Sequence, residues 1–356
     1  LQYLPVIMAL RDVIGQDRAV SILLGTLERG RIPSAYLFDG ESGIGKRFTA
    51  LNLAKAINCL KNSEGLFATP ANVKGGSLKD VDACDVCSAC KKIDAGTYPD
   101  LVIVAPEKGE IRVDEIRSVE DALSFKPYEG KKKVVIIDDA DTMNQSAANA
   151  FLKTLEEPPE DSLLILIASN PGRMPETIRS RCSNVKFTPL PTEACAGVIK
   201  SVTGKQQAAG GGEGMGLEIT DRLLSTVVRL SMGRPGRALS SDLLNERTRF
   251  LQLLQNMIEG NNEIWTDRDE MEQWFDLVIA WMRDLAIMNV MGSEGIFIHD
   301  DMRDDLSQMS RSGDLISLME SYTKINRLRG RLDFNLNKSI TWNYTASIIR
   351  AVMGRA

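Results

Sequence analysis

The stretch Gly40-Glu41-Ser42-Gly43-Ile44-Gly45-Lys46-Arg47 constrains the fold of this chain more than any other. It follows the phosphate-loop pattern G-x-x-x-x-G-K-[ST] up to the last position, where Arg47 stands instead of a hydroxyl residue. In that pattern the glycines let backbone N–H groups curl around phosphate oxygens, the lysine reaches the β and γ phosphates, and the hydroxyl binds Mg²⁺. The loop must link a buried strand to the first turn of a helix. Its flanks fit, because Ala35 to Phe38 is a short apolar run and Phe48, Leu51, Ala54 and Ile57 recur at helical spacing. A glycine-rich turn that never meets phosphate is the alternative. Arg47 has no hydroxyl to offer, and losing one of the few protein ligands to Mg²⁺ should impair hydrolysis more than binding.

Apolar runs and helical stretches alternate up to about Thr188, which predicts a parallel α/β sheet. Strands are expected at Ala35 to Phe38, Leu101 to Val104, Val134 to Ile137, Leu163 to Ala168 and Val185 to Phe187. Their continuous hydrophobicity suits strands covered on both faces. Pro189 and Pro191 break the pattern, and only helical signals follow. A short helical segment from about Thr192 to Leu244 is interrupted by a loop insertion at Gly210-Gly211-Gly212-Glu213-Gly214, and a longer helical region runs on from there. In it Trp274, Val278, Trp281, Leu285 and Met288 form a stripe expected to face a core or a packed helix rather than a ligand. A length of 356 residues implies two or three domains. The divisions expected are 8–188, 189–244 and 245–356, with residues 1–7 set aside as an extension before Met8 and no secretory signal apparent.

A net charge of −5 argues against a surface that is a nucleic-acid footprint throughout. No apolar run approaches the roughly 20 residues of a membrane span, so no membrane partner is expected. Lys131-Lys132-Lys133 is a local basic run, expected to be the solvated lead-in to a strand. The single histidine, His299, nearly removes His-dependent triads and mixed Cys/His metal sites. An ordinary surface or partly packed position is expected of it.

A second chemical motif is Val134-Val135-Ile136-Ile137-Asp138-Asp139-Ala140-Asp141, a hydrophobic strand ending in acids. It puts carboxylates at the carboxyl end of a sheet strand, where α/β proteins bind nucleotides. Asp138 is the expected Mg²⁺-side acid, and Asp139 holds the position where a Glu usually activates water. Its shorter side chain sets the carboxylate back by a methylene, which matters for a base that must come within roughly 2.6–3.2 Å of its proton. The alternative is that these acids cap the following helix.

Cys84, Cys87 and Cys90 follow a C-x-x-C-x-x-C spacing, with Cys59 upstream. Four thiolates suit a closed, structural tetrahedral zinc site, in which Cys59 from the end of the phosphate-loop helix completes the set. Such a site would order an insertion of about residues 59–95 that is too short for a core of its own. A redox C-x-x-C pair and plain buried thiols are the competing readings, and neither accounts well for the third close cysteine. Cys182 and Cys195 lie outside the cluster and are expected to be packed thiols.

Taken together, Val13-Ile14-Gly15-Gln16, the loop through Lys46, the acidic strand end, Leu152-Lys153-Thr154-Leu155-Glu156-Glu157-Pro158-Pro159, Ala168-Ser169-Asn170 and Ser180-Arg181-Cys182 resemble bacterial clamp-loader AAA+ subunits. The weakened loop is most similar to the delta prime branch of that family. The resemblance spans about residues 8–245 and continues faintly to Asn335-Leu336-Asn337, similar to a motif of the family's collar region. It implies an AAA+ P-loop parallel sheet with a zinc-module insertion, a small helical lid domain and an all-α C-terminal collar.

By the same resemblance Gly40, Gly43, Gly45, Lys46, Arg47, Asp138 and Asp139 form a degenerate nucleotide site, Asn170 matches a sensor of the γ phosphate, and Arg237 matches a lid-domain sensor arginine. Arg181 matches an arginine finger acting on a neighbouring subunit, against the alternative of a surface or interface ion pair. Zn²⁺ held by Cys59, Cys84, Cys87 and Cys90 is the implied structural cofactor. Binding of ATP or ADP without well-held Mg²⁺ and an empty loop both stay open. The implied partners are tau/gamma-type motor subunits and a delta-type wrench in a cytoplasmic hetero-oligomer, and through it a sliding clamp and primer–template DNA. An active motor subunit of the same machine, and a zinc-dependent nucleic-acid-binding protein on an AAA+ scaffold, are the rival functions.

Overall fold

The structure, a computed structural model, describes residues 9–62, 81–106, 109–208, 221–240, 242–261, 265–310, 314–332 and 336–353. The expected glycine-rich insertion at 210–214, residues 1–7 and Asn335 lie outside the described residues. The chain divides into two compact units, one of residues 1–211 with 233–236 and one of 212–232 with 237–356.

The first unit is built on five strands, β1 (Ala35–Asp39), β2 (Leu101–Val104), β3 (Lys133–Ile137), β4 (Ser162–Ala168) and β5 (Ser183–Lys186). All pairings are parallel, and the order across the sheet is β2-β3-β4-β1-β5. Among the described residues seven α-helices accompany them: α1 (Asp17–Glu28), α2 (Lys46–Asn58), α3 (Ser88–Asp94), α4 (Val113–Leu123), α5 (Gln145–Glu156), α6 (Glu176–Arg179) and α7 (Thr192–Ala208). The central strands β1, β3 and β4 are buried almost without interruption, as their unbroken apolar sequences require. The edge strand β5 is different. Only Val185 is buried, while Ser183, Asn184 and Lys186 face outward, so the strand extends two residues earlier than hydrophobicity alone indicates.

Register places the chemistry. Asp39 at the end of β1 pairs with Ala168 at the end of β4, and Ile137 at the end of β3 pairs with Leu166. The loop after β1, the acids after β3 and Ser169-Asn170 after β4 therefore emerge together at the carboxyl edge of the sheet, where open parallel sheets bind ligands.

Lys131, Lys132 and Lys133, at the entry to β3, are not a solvated lead-in. The Lys131 ammonium donates to the Cys59 carbonyl, Lys132 to that of Ser162, and the buried Lys133 to those of Ala122 and Phe125. Lys133 thereby caps the C-terminus of α4, a favourable position for a cation beside the negative end of a helix. Just before β2 the buried carboxylate of Asp100 accepts from the backbone N–H groups of Tyr128, Glu129 and Gly130 at 2.7–2.8 Å.

The second unit is helical: α8 (Asp221–Leu230), α9 (Pro235–Ser240, whose first two residues belong to the first unit), α10 (Leu243–Glu259), α11 (Arg268–Met291), α12 (Arg303–Ser310), α13 (Leu315–Arg329) and α14 (Lys338–Val352). The stripe Trp274, Val278, Trp281, Leu285 and Met288 of α11 is buried in its core with Phe250, Trp265 and Trp342. Asn337 caps α14 by accepting from the Ile340 N–H. His299, expected near the surface, is wholly buried instead. Asp284 on α11 accounts for this. Its carboxylate accepts from the backbone N–H groups of Ile298 and His299 and from the His299 ring Nδ1, while Arg283 supplies an opposite charge at 2.9 Å.

Asp284→Ala is expected to destabilise the helical unit by about 3 kcal/mol, because three N–H donors lose their acceptor in the interior. All four tryptophans lie in this unit, so urea unfolding followed by tryptophan fluorescence reads it selectively. An unchanged midpoint would refute the anchoring role.

Candidate nucleotide and metal sites

The loop between β1 and α2 has phosphate-loop geometry, set by its glycines. A Cβ at Gly40 would lie 2.6 Å from the Phe187 carbonyl oxygen, and Gly45, the N-cap of α2, sits at φ +98°. Buried Gln16 fastens the loop from below, donating to the carbonyls of Ile44 and Thr188. Lys46 is itself buried, with its ammonium donating to the carbonyls of Gly40 and Glu41 and to Ser169 Oγ. Burial lowers its pKa, against the opposing pull of Asp139, Asp141, Asp138 and Asp39. The lysine thus stands among the carboxylates of the sheet edge, poised over the loop.

Arg47 lies one residue further along α2, and its guanidinium donates to Asp138 Oδ2 at 3.0 Å. Asp138 therefore serves neither as a helix cap nor as a bare metal ligand. In an ordinary loop of this type the hydroxyl at position 47 and the acid at position 138 face one Mg²⁺ between them. Here a permanent cation takes that place, and the residues present do not fit the metal.

Asp139 sits at φ +46°, a strained setting that aspartate tolerates better than most residues. Its carboxyl pKa is raised, first by burial and then by the charges of Asp138 and Asp141. Asp141, which sequence reasoning gave no role, accepts from the backbone N–H groups of Ser169 at 3.3 Å and Asn170 at 2.9 Å. It ties the end of β4 to the acidic turn and fixes the backbone at Asn170. Lys46, Arg47, Asp138, Asp139 and, through Asp141, Asn170 are thus one constellation.

Arg181 stands apart from it. Placed just beyond α6, it donates to the Thr177 carbonyl and pairs with Glu156, the last residue of α5, at 2.7 Å. Both side chains are substantially exposed. Arg237 belongs to the helical unit, where Glu246 and Asp276 flank its guanidinium at 3.2 and 3.7 Å.

The second cluster lies at the other end of α2. Cys59 is the C-cap of that helix, Cys84 and Cys87 lie in the turn before α3, and Cys90 is in its first turn. The four sulfurs all lie within 4.8 Å of one another. A tetrahedral ion with bonds of about 2.3 Å sets sulfurs about 3.8 Å apart, so a small contraction would close the site. Asp85 takes up φ +57° to turn the chain between Cys84 and Cys87. Burial pushes the Cys87 thiol up, but the N–H groups of Cys90 and Leu60 outweigh it and bring its pKa to about 6, a setting that favours thiolate. The buried Lys55 ammonium pairs with Asp85 and, at 2.9 Å, with Asp94, clasping the module to α2. The four thiols fit a soft tetrahedral cation. Cys195 is buried, and burial alone pushes the Cys182 thiol up to about 12.

Residues 15–191 match the family model described as "DNA polymerase III, delta subunit". The delta' subunit of DNA polymerase III from Bacillus subtilis is 26% identical over 334 residues, covering 90% of this chain and 92% of that protein. The corresponding delta' subunit of Pseudomonas aeruginosa is 38% identical over 170 residues, 47% of each chain. The tau subunit of Escherichia coli is 30% identical over 265 residues, and this chain spans only 38% of its length. On the family-model match and the near full-length likeness to a delta' subunit, the chain belongs to the family of DNA polymerase III clamp-loader subunits.

Proposed function

We propose that this chain is a delta prime-like, largely non-hydrolysing subunit of a replicative clamp loader, which helps load a sliding clamp onto primed DNA. The observation that carries the reading is the Arg47–Asp138 ion pair. Hydrolysis needs Mg²⁺ to neutralise charge on the transferred phosphoryl group and a base to orient water. Arg47 supplies no hydroxyl, Asp138 is already paired, and the Asp139 side chain is one methylene shorter than the Glu that usually orients the water. Arg181, by contrast, is exposed and oriented by its two contacts. It serves as the finger for a neighbouring tau/gamma-type ATPase.

In this reading residues 8–188 are the AAA+ core, 189–244 the lid carrying Arg237, and 245–356 the collar that joins the other subunits, among them a delta-type one. The whole works as a hetero-oligomer in the cytoplasm, at the replisome. None of the described helices is long and apolar enough to cross a membrane.

Reconstituted with motor and delta-type subunits, clamp and primed DNA, the loader is read by its DNA-stimulated ATPase rate. Arg181→Ala is expected to silence the neighbouring site it serves, since a finger is worth about 10³–10⁵ in rate, whereas Lys46→Ala changes the total by less than about twofold. Equal sensitivity to Lys46→Ala would make this chain a motor in its own right.

We further propose that Cys59, Cys84, Cys87 and Cys90 hold structural zinc. Elemental analysis of the purified chain is then expected to find about one zinc per molecule, and Cys87→Ser to lose it and lower the melting temperature. Full retention of metal by that variant would sink the assignment.

A further inference from the structure

The misfit between the loop and Mg²⁺ has a positive side. We propose that the loop is a magnesium-independent diphosphate site, in which the Arg47 guanidinium, held by Asp138, takes the place of the divalent cation and Lys46 binds beside it. The ligand class is a nucleoside diphosphate, with inorganic pyrophosphate as its minimal form.

A guanidinium does not deprotonate in a protein, and its planar fork matches phosphate as well as carboxylate geometry. With Nη1 at 3.0 Å from Asp138 Oδ2, the group stands where the metal would meet that acid. Mg²⁺ at the same carboxylate would have to displace a permanent cation or lie against it, and it would find no hydroxyl at position 47. The pair is also not sealed away, since the Arg47 side chain keeps 37% of its surface exposed. A phosphate can therefore reach the guanidinium without the ion pair breaking.

The rest of the cradle is intact. Gly40 and Gly45 keep the backbone that lets N–H groups face an anion, and α2 is long enough for its N-terminal dipole to count. Lys46 is bound to the carbonyls of Gly40 and Glu41, contacts that a phosphate oxygen can replace. The Arg234 guanidinium is offset by the Glu41 carboxylate at 3.4 Å and adds no net charge, and the Gly236 N–H donates to the Gly43 carbonyl.

Charge sets the preference among phosphates. Lys46 and Arg47 bring two positive charges where lysine and Mg²⁺ bring three, and Asp138, Asp139 and Asp141 remain close by. A triphosphate is left with one more uncompensated charge than a diphosphate, so the shorter anion is preferred.

This inference rests on the reading of Arg47 given above, but its test is independent of Arg181 and of any hydrolysis. Binding of a fluorescent ADP derivative to the purified chain is followed by anisotropy, once with excess MgCl₂ and once with EDTA, and pyrophosphate and ATP are used as competitors. For the wild type the two dissociation constants are expected to agree within about twofold, with pyrophosphate competing and ATP competing more weakly than ADP. Arg47→Ser is expected to weaken binding in EDTA and to regain it with Mg²⁺ by about tenfold or more, while Arg47→Lys stays indifferent to the metal. The Lys variant keeps the charge and guards against misreading a folding defect. Absence of wild-type binding, or wild-type binding that depends on Mg²⁺ about tenfold, overturns the proposal. Competition by ADP but not by pyrophosphate overturns the assignment to the diphosphate group. Loss of activity in Arg181→Ala with no ADP binding would leave the finger standing and remove this site alone.

Discussion

The thirteen-residue helix α2 is fixed at both ends, and both candidate sites depend on that. At its N-terminus Arg47 meets Asp138 beyond the end of β3; at its C-terminus Asn58 accepts from the N–H groups of Lys131 and Lys132, just before β3 begins. From Arg47 to Asn58 the helix rises about 16 Å, and from Lys132 to Asp138 an extended chain covers about 20 Å. These lengths are close enough for side chains to close the gap at both ends. Helix and strand thus form a frame, and Cys59, the residue that caps the end of α2, inherits its position from it. A shift of the helix that loosened the ion pair would also move a thiol of the other cluster.

That frame holds the shape of the loop without a bound ion. In a loop that works with Mg²⁺, ligand and ion together bridge the phosphate loop to the acidic strand end. Here the bridge is covalently part of the chain. Its contribution to stability is modest, because the Arg47 side chain is more than a third exposed and such pairs are worth about 0–1 kcal/mol. Its contribution to geometry is larger, since it removes the need for a bound ion to set the distance between α2 and β3. Removing Asp138 would leave a partly buried guanidinium without its carboxylate, so position 138 constrains the structure even where it has no metal to hold.

Much of this was legible in the sequence wherever a local pattern decides the outcome. Continuous apolar runs located β1 to β4 to within one residue, because central parallel strands covered on both faces cannot alternate, whereas the polar edge strand β5 begins two residues before the expected Val185. The loop, the acidic strand end and the four cysteines were legible because each is a spacing rule. Hidden were the side chains whose partners lie far away in the chain. Lys131, Lys132 and Lys133 look like a charged run, yet each finds a backbone carbonyl. His299 has nothing beside it to announce burial, because Asp284, fifteen residues earlier and on another element, meets its backbone N–H and ring Nδ1. Asp141 and Gln16 shape the candidate nucleotide site through backbone groups 28 and 172 residues away, and no local pattern encodes such contacts.

The cysteine module shows why that kind of contact is needed. Among the described residues its own apolar cluster is Ala89, Ile93 and Tyr98, with Cys87 and Leu101 packed against it, far too little surface to fold alone. Charge and polarity supply the rest. Lys55 bridges Asp85 and Asp94 from α2, and Asp82 accepts from the backbone N–H groups of Leu10 and Arg11. Burying Lys55 is tolerable only because two carboxylates meet it; burial lowers its pKa, the carboxylates raise it, and the carboxylates win. The four thiols then sit where the ion pairs converge, so the strength of the module depends on what those sulfurs bind. A cation there would hold not only the turn from Cys84 to Cys90 but also, through Asp82, the N-terminal arm before α1 and, through Cys59, the end of the helix that begins at Lys46.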